Sequence, residues 1–256
     1  MELFDSHAHY NDEKFDNDRE EIIQKIYDLG VTTLVNAGYS LESSKKAIEI
    51  ANKHSFIYAT VGVSPNDIDN LNVDYIKQIE NMANEKKVVA IGEIGLDYYW
   101  NKENKEEQKK LFCEQIELAN KLNKPIVIHT REAVMDTLDI LKNKVEAKQK
   151  GVFHCCPLNP ELVKEALKLG FYISFAGPVT FKSSKNAEDV VKLVPLDKIL
   201  IETDSPYLSP EPVRGTRNDS RNVIHIAEKI ACIRGITLEE IANITFKNAK
   251  SIFKID

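Results

Sequence analysis

Two histidines two residues apart, His7 and His9, close an apolar opening run, Leu3-Phe4-Asp5-Ser6. In an extended strand, side chains two apart point to the same face. A strand over residues 2–9 would therefore offer both imidazoles to one ion. Further residues of ligand type stand where later apolar runs end: Glu93, His129, His154 and Asp204. The chain has six histidines, and four of them fall at such positions. His54 and His225 lie in segments of helical periodicity and receive no role. Four His, one Glu and one Asp exceed what a single tetrahedral ion takes and suit two divalent ions sharing a carboxylate. Two ions ~3.5–4 Å apart clamp the attacking and leaving oxygens of a displacement and lower the pKa of bound water. Nitrogen and oxygen ligands without a thiolate point away from a structural zinc and leave Mg²⁺, Mn²⁺, Zn²⁺ or Fe²⁺ open.

The elements that must position these residues alternate. Short β-branched apolar runs are followed by segments of helical period, the pattern of βα units on a parallel sheet. Strands are predicted over 31–36, 57–63, 88–91, 125–128, 151–153, 171–175 and 199–201, after the first at 2–9. Helices are predicted near 17–29, 41–54, 73–84, 103–122, 131–141, 160–169 and 186–193, with two closing helices at 223–234 and 238–252. Asn159-Pro160-Glu161 carries the helix-start signal of a cap followed by proline, and Gly170 the stop. Eight strand–helix units without a linker point to a closed α/β (β/α)8 TIM barrel, a single domain over residues 1–256. An open doubly wound sheet is the alternative, but no GxGxxG follows any strand. In a barrel the C-terminal strand ends converge on one mouth, and every candidate ligand sits at such an end.

The 256 residues suffice for a full core. The formal net charge of −6 argues against a protein that coats nucleic acid through a broad basic surface. Any nucleic acid would have to be met locally, by ions and a few cations. No apolar run spans a bilayer and no signal peptide is evident. The four cysteines, Cys113, Cys155, Cys156 and Cys232, form no CxxC and read as reduced thiols. A cytoplasmic monomer is the expectation.

Taken together, the motifs resemble the TatD family of metal-dependent deoxyribonucleases, within the amidohydrolase-like metal barrels. They run along nearly the whole chain: Asp5-Ser6-His7-Ala8-His9, Gly92-Glu93-Ile94-Gly95-Leu96-Asp97-Tyr98-Tyr99, Ile128-His129-Thr130-Arg131-Glu132-Ala133, Val152-Phe153-His154-Cys155, and Glu202-Thr203-Asp204-Ser205-Pro206-Tyr207-Leu208, with Arg214-Gly215-Thr216-Arg217-Asn218 and Asn248-Ala249 after them. The resemblance implies that His7, His9 and Asp204 bind one metal, that Glu93 bridges, and that His129 and His154 hold the second. It implies metal-dependent hydrolysis of DNA phosphodiesters, with single-stranded 3′ ends as substrate. Asp204 would also take the proton of the attacking water. Arg131, Arg214 and Arg217 are phosphate candidates, because the planar guanidinium donates two parallel hydrogen bonds. Tyr98, with Tyr99 and Trp100, follows Glu93 closely and could stack on unpaired bases.

The chain also departs from the pattern. Where the family usually reads Gly-Val-His-Pro-His, this chain has Gly62-Val63-Ser64-Pro65-Asn66. Ser64 can still hydrogen-bond a phosphate but carries no charge. Cys156-Pro157-Leu158 replaces Phe-Ser-Gly after Cys155, and Asp219-Ser220 replaces Glu-Pro. These changes keep open an alternative in which the same centre hydrolyses another bond, an ester or amide such as that of an aminoacyl-tRNA. A barrel that keeps its metal for binding alone is a third reading, disfavoured by the complete ligand set.

Overall fold

A computed structural model describes residues 1–69, 71–146 and 150–256. Eight parallel strands lie in the order β1 to β8 without a crossover: Leu3–Ala8, Val31–Ala37, Ile57–Val61, Val88–Asp97, Ile126–Arg131, Gly151–Phe153, Tyr172–Phe175 and Ile199–Ile201. Helices α1 to α7 (Arg19–Asp28, Leu41–Lys53, Tyr75–Ala83, Lys105–Leu122, Val134–Lys144, Pro160–Lys168 and Ala187–Leu193) follow the first seven strands in turn. Helices α8 (Val223–Arg234) and α9 (Leu238–Phe253) follow β8. This is a nearly closed, single-domain (β/α)8 barrel, as the alternation in the sequence predicts. Its seam between β8 and β1 is bridged by a backbone and a side-chain hydrogen bond. The Asp204 amide donates to His7 O at 2.9 Å, and Ser6 Oγ donates to Ile201 O at 2.9 Å.

Local signals set the helix ends. Asn159 Oδ1 accepts from the amides of Glu161 and Leu162 at 3.0 Å, with Pro160 as the first helical residue of α6. Thr237 and Glu240 form a reciprocal capping box at the start of α9. The inner face of the helical ring and the outer face of the strands share one apolar core, in which Phe112, Phe153, Phe171 and Phe175 are buried.

Most boundaries fall within two residues of expectation, and two larger departures bear on the site. β4 does not stop at Ile91. It continues through Gly92 to Asp97, paired to β5 by Gly95 opposite His129 and Asp97 opposite Arg131. Gly95 permits this pairing: its φ is +145°, and a Cβ there would lie 1.9 Å from His129 O. Arg131 correspondingly ends β5, where the sequence suggests the start of a helix; α5 begins only at Val134. Buried glutamines of α4 staple the strand ends. Gln108 accepts from the Asp97 amide at 2.8 Å and donates to Asp97 O at 3.0 Å. Gln115 does the same for Val63, at 2.8 and 2.9 Å.

Candidate metal centre

Six strand-end residues from five strands meet at the C-terminal mouth of the barrel. His7 and His9 project side by side from the end of β1, with Nε2 atoms 3.1 Å apart. Glu93 Oε2 lies 3.4 Å from His7 Nε2 and 3.6 Å from His9 Nε2, and Asp204 Oδ1 lies 3.8 and 3.3 Å from the same atoms. The other Glu93 oxygen, Oε1, faces His129 Nδ1 at 3.0 Å and His154 Nε2 at 3.3 Å, and those two nitrogens are 3.3 Å apart. The Glu93 carboxylate thus stands between two histidine pairs, with one oxygen toward each.

The donor set fits a metal. Ligands about 2.1 Å from a tetrahedral ion stand about 3.4 Å from one another, and these separations cluster there. All six groups turn a nitrogen or an oxygen inward, and the outward nitrogen of His7, Nδ1, is buried without a hydrogen-bond partner. The outward nitrogens of His9 and His129 meet acceptors and that of His154 faces a carboxylate, which leaves the inward nitrogens to ligate. His9 Nδ1 lies 3.0 Å from Ala37 O, His129 Nε2 lies 2.9 Å from Asp97 Oδ2, and His154 Nδ1 lies 3.3 Å from Glu202 Oε1. His7, His9 and Asp204 form one group able to hold an ion, and Glu93, His129 and His154 another.

The electrostatics follow from burial and mutual pairing. Burial pushes the Glu93 carboxyl up, but the imidazoles of His154, His129 and His7 outweigh it and hold it well below the carboxylate range. Burial likewise opposes charge on His154, yet Glu93 and Glu202 overcome it and raise its pKa well above that of free imidazole. His9 and His129 are raised in the same way, through Asp204 and Glu93 for the first and Asp97 and Glu93 for the second. His7 is lowered, by burial and then by the neighbouring His154. Four carboxylates thus offset the charge of a dense imidazole cluster, a role that passes to bound cations when the imidazoles become neutral to ligate.

The centre floors a cleft of about 670 Å³. Arg131 lies at its rim, its guanidinium carbon 3.9 Å from the Tyr99 ring centroid and 5.4 Å from that of Trp100. Ser64 lines the wall and donates to Asp67 Oδ2 at 2.7 Å; Asn66 Nδ2 reaches Asp97 Oδ2 at 3.4 Å. Three residues expected to contact substrate are engaged by the protein itself. Tyr98 is buried, with its hydroxyl donating to Asp136 at 2.7 Å and Lys105 over its ring. Arg217 grips the Asp18 carboxylate at 2.9 and 2.5 Å, and Arg214 lies over Phe181; neither lines the cleft.

Sequence reasoning gave no role to Asp97 and Glu202, the acceptors behind His129 and His154. It also gave none to Asp5, which receives the Thr203 amide and hydroxyl at 2.9 and 2.5 Å and so fixes the turn into Asp204. A signal existed: Glu202 stands two residues before Asp204, and Asp97 four after Glu93, at the even spacings that keep a strand-end acid near the ligand face.

Barrel and centre together define a metal-dependent hydrolase. The chain belongs to the TatD related DNase family, whose model matches residues 4–254. It is 43% identical over 254 residues to the metal-dependent hydrolase YabD of Bacillus subtilis (strain 168), covering 99% of this chain and 100% of that one. It is 31% identical over 258 residues to the 3′-5′ ssDNA/RNA exonuclease TatD of Shigella flexneri, covering 99% of each. Among solved structures, the TatD homologue YJJV of Escherichia coli k12 superposes with a TM-score of 0.93 at 24% identity, covering 99% of this chain and 98% of that chain. No helix among the described residues is long and apolar enough to cross a membrane.

Proposed function

We propose that this protein is a phosphodiesterase that trims single-stranded nucleic acid from its 3′ end, using two divalent ions. The observation that carries the reading is the Glu93 carboxylate, with one oxygen toward His7 and His9 and the other toward His129 and His154. His7, His9 and Asp204 would hold one ion, His129 and His154 the other, with Glu93 shared. Such a pair supplies a low-pKa water and charge neutralisation for an in-line displacement at phosphorus. The remaining work belongs to the chain. Asp204, held below its ordinary pKa by the surrounding imidazoles despite its burial, is ionised and so has an oxygen open to the proton of the attacking water. Arg131 lines the cleft free of any carboxylate partner among the described residues and would bind a non-bridging oxygen. The similarity to an exonuclease acting on ssDNA and RNA from the 3′ end supports both substrate and polarity.

The test is digestion of 3′-labelled and 5′-labelled single-stranded oligonucleotides in Mg²⁺, Mn²⁺ or Zn²⁺, beside the Asp204→Asn protein. Stepwise shortening from the 3′ end is expected, and loss of the general base should slow it about 10²–10⁴-fold. No cleavage in any metal, or full cleavage by Asp204→Asn, would refute the reading.

A further inference from the structure

A strand cut at the centre must be gripped beyond the scissile phosphate. Arg217, an obvious candidate by sequence, is spent on Asp18 and instead donates from Nη1 to the backbone carbonyl of Lys14 at 2.6 Å. Lys14 is exposed, and its ammonium lies 4.1 Å from the ring centroid of Tyr207, with no carboxylate partner among the described residues. Tyr207 lines the cleft, its ring centroid 6.4 Å from that of His9. The ammonium is therefore no farther from His9 than these two lengths laid end to end.

This arrangement is built, not incidental. Buried Asp12 ties lysine and tyrosine together: Oδ1 accepts the Lys14 amide at 2.8 Å and Oδ2 accepts the Tyr207 hydroxyl at 2.6 Å. Arg217 secures the same residue from its carbonyl side. Across the mouth stands the counterpart, Arg131 over Tyr99 and Trp100. Lys14 follows β1 and Arg131 ends β5, and these strands are diametrically opposed in an eight-stranded barrel. Each wall thus holds a cation–aromatic pair, with Lys14 on the lining residue Tyr207 though not itself in the lining, and Trp100 is 69% exposed, with face to spare for a base. A cation for the backbone beside a ring for an unpaired base is the recurring design of single-strand sites.

We propose that Lys14 on Tyr207 and Arg131 on Tyr99 and Trp100 are the two backbone-phosphate contacts of a nucleic-acid single strand lying across the metal centre. The inference rests on the nuclease reading above. Binding to metal-loaded protein is followed by fluorescence anisotropy of a 5′-fluorescein, phosphorothioate-linked decathymidylate, across a series of KCl concentrations. Each single-strand phosphate contact contributes about 0.7 to the slope of log Kd against log salt. Lys14→Met should lower the slope by about that amount and weaken binding roughly fivefold; Arg131→Met should do the same, and Lys14→Arg should restore the parental slope. Tyr207→Phe, which cuts the link to Asp12, should weaken binding with the slope retained. An unchanged slope in Lys14→Met overturns the inference while cleavage by the parent protein leaves the nuclease reading standing. A parent protein that cleaves no phosphodiester but still binds with a Lys14-dependent slope refutes that reading and keeps the strand-binding site.

Discussion

Replacing Asp97 with Asn isolates the control of His129 from the rest of the centre. Asp97 Oδ2 sits 2.9 Å from His129 Nε2, and its Oδ1 accepts the amides of Tyr99 and Trp100 at 2.9 and 3.0 Å. Burial raises its pKa, but the His129 contact and the Trp100 amide outweigh this and bring it down to about 2. At ~1.4 kcal/mol per pKa unit, the site favours the carboxylate by about 2 kcal/mol. The amides and Asn66 share that preference, which leaves about 1–2 kcal/mol for His129, roughly tenfold in affinity. The tautomer adds to it. Opposite a carboxylate, Nε2 carries the proton and Nδ1 presents its lone pair toward Glu93. With the asparagine carbonyl kept by the two amides, its NH₂ faces Nε2 and draws the proton onto Nδ1, where a metal must bind. Weakening of one ion by about 10–100-fold is expected, the usual cost of losing such a partner. Calorimetric titration with Mn²⁺ reads it directly: one binding step should weaken and the other stay. Two unaltered steps in a protein with the parental melting temperature would show that His129 does not ligate through Nδ1.

Three further outcomes can be checked. Glu93→Gln keeps the shape but removes the shared charge; it should bind one equivalent of Mn²⁺ or fewer, and retention of two by equilibrium dialysis would contradict the bridging role. Metal uptake should release protons near pH 7, because His9, His129 and His154 are raised by their acidic neighbours and must become neutral to ligate. Affinity therefore climbs as pH rises through neutrality and falls in acid. Binding heats that do not vary between buffers of different ionisation enthalpy would exclude such release. Gly95→Ala meets both a φ of +145° and a Cβ 1.9 Å from His129 O, so β4 and β5 must part; a loss of about 2–4 kcal/mol in urea unfolding is expected, and a midpoint within error of the parent would contradict the close approach.

The sequence carries the barrel and the six inward residues because both depend on local pattern. Apolar β-branched runs alternate with helical periods, and each ligand stands at the end of one run. β6, β8 and α8 fall on their expected bounds for this reason. The extension of β4 to Asp97 was not legible, because Gly92 and Gly95 read as loop residues until β5 comes alongside to show that only a glycine clears His129 O. The loop cations were legible as cations but not as contacts. Whether Arg217 meets substrate or Asp18 depends on how the β8 loop folds against the β1 loop, nearly 200 residues away in the chain. Lys14 has no motif at all. Its place is set by Asp12 and Tyr207, which come together only when the barrel closes.

Closure also connects the proposed chemistry to the fold. The acceptor behind His9 comes from β2, that behind His129 from the tip of β4, and that behind His154 from the residue after β8. No histidine is oriented by its own strand, so the inward lone pairs exist only when neighbouring strands are in register. Ions that bind this arrangement and not the unfolded chain must stabilise the barrel by mass action, by about 2.7 kcal/mol at a hundredfold excess over Kd for one site. The stabilisation should shrink in Asp97→Asn through one ion alone. Chelation and strand register are then two readings of one equilibrium, and the melting temperature should rise with Mn²⁺ concentration in the parent more steeply than in that variant.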